Sequence, residues 1–404
     1  MTYGPMVPEA VRTATPGQRG TRSAVGSPTA LRDANRDRIL EQLRRAGTAS
    51  QSELARATGL SRATVLNIVR ELADRELVTL TEGQHGGRRT VDVSLNPKAG
   101  VVVGVDFGHT HLRIAVADLT HEVLAEDMWR LELGHNSDDD IRLVSESLER
   151  LLPLAGTTRD RVLGVGLGLP APVDPQSGEV GSSSILPGWV GVPAAKAVGA
   201  ALRLPVVVDN DANLGALAEM LWGAARGCED LVYIKASTGI GAGLVMHGQV
   251  YRGAAGTAGE IGHMTIDEAG ALCRCGNRGC LETVVGARAL VGAMSYTRGD
   301  AVTVAEIVAA AEGGDPGAER VLADAGRAVA DALAPLCTVL DPALVVIGGE
   351  CSASRALIEC AQERLASVVT PLRRNAVPVR PGALLDRAEM FGAVALVTRR
   401  MPLG

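Results

Sequence analysis

Two short stretches, VVVGVDFG (101–108) and VVVDND (206–211), constrain this chain more than anything else in it. Each is a β-branched apolar run that closes on Asp, too short for a buried helix and too apolar for a half-wet strand, so each reads as a strand covered on both faces. After the first come HLRIAVADL, a strand over 122–131, a helix over 137–152 and the strand VLGVGLGLP (162–170). The second is followed by a helix over 212–222, the strands LVYIKAS (231–237) and IGAGLVM (240–246), helices over 304–311 and 317–340, the strand LVVIGG (344–349) and two closing helices. That alternation predicts an α/β body of two halves, the second opening at 206, with a cleft between the lobes. The expected bounds are 101–404.

What precedes the body differs in charge and period. Residues 1–95 carry 14 Arg, no Lys and 10 acidic residues, a net of +4, whereas the remainder of the chain is at −10. Residues 1–30 are rich in Gly, Pro, Ser and Thr and read as a disordered arm. Over 31–95 three helices are expected: one from Asp33 to Ala46, one begun by a Ser50/Glu53 capping box and stopped by Gly59, and one capped by Ser61. The third places Val65, Ile68, Val69 and Leu72 on one stripe, and Ala63, Asn67 and Arg70 opposite, with Arg62 and Thr64 at its start. A β-hairpin with Arg88 and Arg89 at its tip completes a winged helix-turn-helix, whose third helix would enter a major groove while the wing meets a minor groove or phosphates. Residues 96–100 form the linker. The rival, a plain three-helix subdomain with a hairpin, makes the turn, cap and basic tip coincidental.

Four motifs in the body carry chemistry. VDFGHT (105–110), with Asp106, Gly108 and Thr110, and STGIGAG (237–243), with Thr238 and Gly239, are Gly-rich turns that could cradle phosphates or be plain tight turns. Asp209, Asn210 and Asp211 end a strand, where carboxylates and an amide can accept from hydroxyls; alternatively Asp211 only caps the next helix. His263, Cys273, Cys275 and Cys280 have the residue types and spacing of a closed Cys3His zinc site, one ion per chain, in a loop over 263–282. Clustered free thiols are the alternative. With seven Cys in all, no apolar run long enough to span a bilayer and no secretory h-region, the chain reads as a cytoplasmic protein without a disulfide framework.

From residue 101 to 400 the sequence resembles the ROK family (repressors, open reading frames, kinases), a branch of the actin-like sugar kinases. The resembling residues are VDFGHT, LPAPVD (169–174), LPGW (186–189), DNDAN, STGIGAG, GTAGEIGH (256–263) and CRCGNRGCLE (273–282). With its winged helix the chain is similar to ROK transcriptional regulators. The resemblance implies that Asn210, Asp211, Glu260, His263 and Glu282 hydrogen-bond a sugar, that Asp211 stands where family kinases hold their base, and that Gly108, Thr110, Thr238 and Gly239 are phosphate-loop positions. The chain departs from the kinase pattern at His109 and His111, where Gly and Lys are usual, at Ile185, where a sugar-binding Asn is usual, and at Glu350 in place of a Gly. These departures speak against ATP. The expected function is therefore a sugar-responsive, DNA-binding repressor, a homodimer or homotetramer on operator DNA, with a sugar or phosphosugar effector and no membrane contact; the alternative is a bifunctional ATP-dependent hexose kinase.

Overall fold

The computed structural model describes residues 28–85, 88–132, 134–181, 186–299, 301–369 and 375–400. The arm expected over 1–30 lies outside these residues except at its end, where Pro28–Ala30 already belong to helix α1 (Pro28–Ala46). Proline fits there because its missing N–H is one that a first helical turn leaves unpaired anyway.

Local signals account for the next elements. Strand β1 (Thr48–Ser50) leads into α2 (Gln51–Thr58), where Ser50 Oγ accepts from the Glu53 amide while the Glu53 carboxylate accepts from the Ser50 amide, and Gly59 closes the helix at φ +69°. Helix α3 (Arg62–Asp74) is capped by Ser61 and buries Val65, Ile68, Val69 and Leu72. Burying such a side chain contributes about 1.5–3 kcal/mol, so a charged replacement at Val69, which is wholly buried, would unpick the stripe. Strands β2 (Val78–His85) and β3 (Arg88–Leu95) form the wing, with His85 opposite Arg88, and β3 also pairs with β1. That third strand was not legible as a strand, since three residues show no alternation. The 96–100 segment is hydrogen-bonded back to the winged helix through Asn96, whose N–H and side-chain amide donate to the carbonyls of Leu77 and Glu76.

The body contains two five-stranded sheets of one topology. In the first, β4 (Val101–Phe107), β5 (His111–Asp118), β6 (Val123–Arg130), β7 (Val162–Leu169) and β8 (Val206–Asn210) lie in the order β6-β5-β4-β7-β8, with α4 (Ser137–Leu154) and α5 (Ala194–Leu202) between strands. Helix α6 (Asp211–Leu221) leaves the end of β8. The second sheet holds β9 (Leu231–Ala236), β10 (Ile240–Met246), β11 (Gln249–Tyr251), β12 (Leu344–Gly348) and β13 (Val379–Pro381) in the order β11-β10-β9-β12-β13. Helices α7 (Glu282–Val285), α8 (Ala287–Arg298), α9 (Val304–Glu312), α10 (Pro316–Leu340) and α11 (Arg355–Val368) pack on it, and α12 (Ala388–Arg400) ends the described chain. In both sheets the first three strands are antiparallel and the last two join in parallel.

This duplication corrects the expected restart at 206. VVVDN is the fifth strand of the first sheet, parallel to β7, and the second lobe opens at Leu231. The first and the last parallel strand of such a sheet are both covered on two faces, so composition alone does not separate an opening strand from a closing one.

Helix α12 crosses back to the first lobe. A Cβ at Gly166 of β7 would stand 1.9 Å from the Ala393 carbonyl oxygen, so only glycine lets the helix lie this close to the sheet. Met390, Val394 and Val397 of α12 share one core with Val102, Ala115 and Ala117 of the first sheet and with Ile39, Leu40 and Leu43 of α1. The winged helix is thus docked on the first lobe through a continuous apolar core.

Candidate functional site

The carboxyl end of β8 and the two hairpin turns, β4–β5 and β9–β10, converge on a cleft of about 490 Å³ including its mouth. Ligands of α/β folds collect at such strand ends because the backbone there is unpaired and loops can shape the wall. Among the sequence-derived candidates, Gly108, Asn210, Asp211, Thr238, Gly239, Glu260, His263 and Glu282 line it. Three cleft candidates do not. Asp106 is buried beneath the first turn, Thr110 is exposed outside the lining, and Asp209 is buried away from it, bound to Arg252.

At one end the cleft presents hydroxyl acceptors. Asn210, not Asp211, caps α6: its Oδ1 accepts from the Asn213 amide at 3.2 Å, and its Nδ2 donates to the Ala171 carbonyl. Asp211 is the first helical residue, and its Oδ2 accepts from Lys235 Nζ at 2.8 Å. Burial pushes the Asp211 carboxyl up against the pull of the Lys235 ammonium, which Asp211, Glu389 and Asp106 together hold in its charged form. Burial, reinforced by Asp211 and Glu282, brings Glu260 up to about 7. Glu282 receives both arms of Arg274, each at 2.7 Å, a planar fork matched to a carboxylate.

At the other end the two Gly-rich turns are filled. His111 Nε2 lies 3.1 Å from Asp106 Oδ2, and its ring covers Gly108 so closely that a Cβ there would meet it at 2.1 Å. Around Gly239 a Cβ would meet Glu282 Oε2 at 3.0 Å, Arg274 Nη2 at 3.2 Å and His109 Nε2 at 3.4 Å. His109 therefore stands between the two turns. Burial, with Arg274, Lys235, His135 and His111 adding like charge, brings its imidazole down to about 3, so it is neutral. Ile185 lies outside the described residues, and Glu350 is exposed, away from the lining.

Lys235 and Arg274 escaped the sequence reading. A signal for the first existed: LVYIKA is otherwise an apolar buried strand, and a lone Lys in such a strand demands a buried carboxylate.

Beside the cleft, the donor atoms of His263, Cys273, Cys275 and Cys280 all lie within 4.8 Å of one another. His263 Nδ1 is 3.6 Å from Cys273 Sγ, and Cys275 Sγ is 3.6 Å from Cys280 Sγ. Those separations suit a tetrahedron: metal–sulfur bonds of about 2.3 Å imply edges of about 3.8 Å. The cluster could hold a metal ion. His263 Nε2 meanwhile points at Glu260, 3.9 Å away, so one ring joins the Cys cluster to the cleft.

On the winged helix, Arg62, Ala63, Asn67 and Arg70 are exposed along α3, whereas Thr64 is half-buried and shares its hydroxyl with Ser61 Oγ at 2.8 Å. Arg88 and Arg89 open β3 next to the wing tip.

A helix-turn-helix on a two-lobed, sugar-kinase-like body defines a class that joins DNA binding to a small-molecule cleft. The chain belongs to the ROK family, whose model matches residues 102–400, and a winged helix-turn-helix DNA-binding model matches residues 32–79. It is 30% identical to the xylose repressor of Caldicellulosiruptor bescii, covering 93% of this chain and 98% of that one. A crystal structure of a ROK family transcriptional regulator, a homolog of the E. coli MLC protein, superposes with a TM-score of 0.77 at 28% identity, over 91% of this chain and 96% of the other. The ROK hexokinase of Thermus thermophilus matches at 34% identity and a TM-score of 0.58, over 73% of this chain and 96% of its own. No helix among the described residues is long and apolar enough to cross a membrane.

Proposed function

We propose that this chain is a sugar-responsive transcriptional repressor, binding operator DNA through α3 and the wing and a sugar or phosphosugar in the interlobe cleft. One observation carries the reading. The cleft keeps side chains suited to hydroxyls, Asn210, Asp211, Glu260 and Glu282, while His109 and His111 occupy the turns that a nucleotide's phosphates would need. The Cys3His cluster holds one structural zinc that braces the loop carrying Glu260 and Glu282. Arg62, Ala63, Thr64, Asn67 and Arg70 face the major groove, and Arg88 and Arg89 meet phosphates or the minor groove. The protein works in the cytoplasm as a homodimer or homotetramer, because paired half-sites need paired winged helices.

The test is a panel of sugars and sugar phosphates screened for thermal stabilisation, followed by operator binding with and without the one that stabilises. A ligand at 100 times its Kd adds about 2.7 kcal/mol. Replacing Arg88 and Arg89 by Ala should lower DNA affinity at every sequence and flatten the salt slope by about 0.9 per lost phosphate contact. The kinase reading has Asp211 in its favour, at the cleft beside an STGIGAG turn. Release of ADP with glucose, mannose or N-acetylglucosamine, abolished in Asp211→Asn, would establish it instead.

A further inference from the structure

The two carboxylates flanking Asn210 both bind cations of the second sheet, Asp209 from the end of β8 in the first sheet and Asp211 from the start of α6, the helix that runs from β8 onto β9 and β10. Asp211 Oδ2 takes Lys235 Nζ, from β9, at 2.8 Å, and Asp209 Oδ2 takes Arg252 Nε and Nη2, just past β11, at 2.8 and 2.5 Å. The four side chains are largely shielded, with Asp209 at 4% and Lys235 at 10% exposure, so these are ties in a medium where charge pairs are strong and sensitive to geometry.

Both ties also touch the two ends of one helix. Lys235 Nζ lies 3.9 Å from Glu389 Oε1 at the start of α12, an oxygen that also accepts from Tyr233 at 3.0 Å. Arg400, the last residue of α12, lies 3.5 Å from Asp209 Oδ2. Between those ends α12 shares its core with α1 of the winged helix, and Arg399 stands 3.6 Å from Glu41 of α1. Lys235 lines the cleft, and its ammonium has three N–H groups, of which Asp211 takes one. A hydroxyl that arrives at Asp211 must therefore share the carboxylate with Lys235 or displace it.

We propose that Lys235 is an effector-contacting residue and that Lys235 and Arg252 form an interlobe latch on Asp211 and Asp209, through which a bound hydroxyl resets the lobes and moves α12 against the DNA-binding domain. This rests on the effector reading of the cleft for its trigger, but the latch itself exists without a ligand. A ligand can shift such an equilibrium only by its preference for one state, and competition for Asp211 Oδ2 supplies that preference.

The latch is tested first on the ligand-free, metal-loaded full chain by hydrogen exchange. Arg252→Met should speed exchange over 206–214 and 388–400 about tenfold or more, with 263–282 and the metal content unchanged. Wild-type exchange in both segments would overturn the latch. The second arm uses D-xylose, D-glucose, N-acetylglucosamine and their phosphates. With whichever stabilises the wild type, Arg252→Met should bind within about threefold of wild type yet no longer alter affinity for a selected operator. Lys235→Met should lose about tenfold or more in sugar affinity, with partial rescue in Lys235→Arg, which also guards against a folding defect. Wild-type sugar affinity and response in Lys235→Met would remove Lys235 from the site. If none of the sugars binds the wild type, the effector reading falls and the contact role of Lys235 with it, while the exchange result still decides the latch.

Discussion

The two ends of the cleft are filled in opposite ways. The hydroxyl-accepting end keeps Asn210, Asp211, Glu260 and Glu282 lining one wall, whereas the phosphate end holds His109 between its two Gly-rich turns and His111 folded onto Asp106. Phosphoryl transfer is almost entirely positioning and charge neutralisation of phosphates, so on the proposed reading loss of space there disfavours the reaction while the hydroxyl acceptors remain. Under the proposed function, the contrast is that of a kinase-like scaffold whose cleft retains hydroxyl acceptors but fills its Gly-rich turns with side chains. Lys235 adds to this by occupying Asp211 Oδ2.

The largest effect that could break this contrast is loss of the Cys3His loop, because it carries Glu282 and joins Glu260 through His263. Cys275→Ser should lose the proposed zinc, and with it a share of a binding free energy that is about 10–16 kcal/mol in small zinc domains, loosening Glu260 and Glu282 and abolishing sugar response. Metal analysis of fresh reduced protein checks the first part; full zinc in Cys273→Ser and Cys280→Ser together would refute the assignment.

A smaller effect isolates the hydroxyl end itself. Asp211→Asn keeps the shape but leaves Lys235 facing an amide, so sugar affinity should fall by about 1.5–3 kcal/mol, roughly tenfold to a hundredfold, and ligand-free operator affinity should shift toward that of the sugar-bound protein because the Lys235 tie is weakened. Calorimetric titration and a DNA-binding isotherm read the two numbers. Wild-type sugar affinity would remove Asp211 from the site.

How far these ends could be seen in the sequence follows from what makes each legible. Capping boxes, an α3 stripe and a Cys3His spacing are local, so Ser50, Ser61, Val69 and the four candidate ligands could be named without a fold. The phosphate-end histidines were visible as departures from a resembling motif, but their packing was not. The partners of Lys235, Arg252 and Arg274 needed the structure, since Asp211 and Asp209 lie 24 and 43 positions away on other elements and Glu282 lies 8 positions on, at the far end of the Cys loop. The position of β8 failed for the same reason: a strand's sheet membership is a long-range fact, and its composition records only burial. Thr110 and Asp106 show the converse, since both match phosphate-turn positions by motif yet lie outside the lining.

The smallest effect sharpens the phosphate end alone. His109 is neutral in the folded protein because burial, with the neighbouring Arg274, Lys235, His135 and His111, brings it down to about 3, while an unfolded histidine titrates near 6.5. A depressed histidine stabilises the fold fully above the unfolded value and progressively less as pH falls below it, because protons then bind the unfolded chain first. Between pH 7.5 and 5.5 this one group should therefore cost about 1.4 kcal/mol of stability. His109→Gln, which keeps a polar tip but cannot titrate, should lose less stability over that interval than the wild type, by that amount. Denaturant unfolding at the two pH values measures the difference, and comparing variant with wild type cancels any proton-driven weakening of the metal cluster. An identical pH slope in both proteins would place His109 in contact with water, leaving the turn open and reviving room for a phosphate.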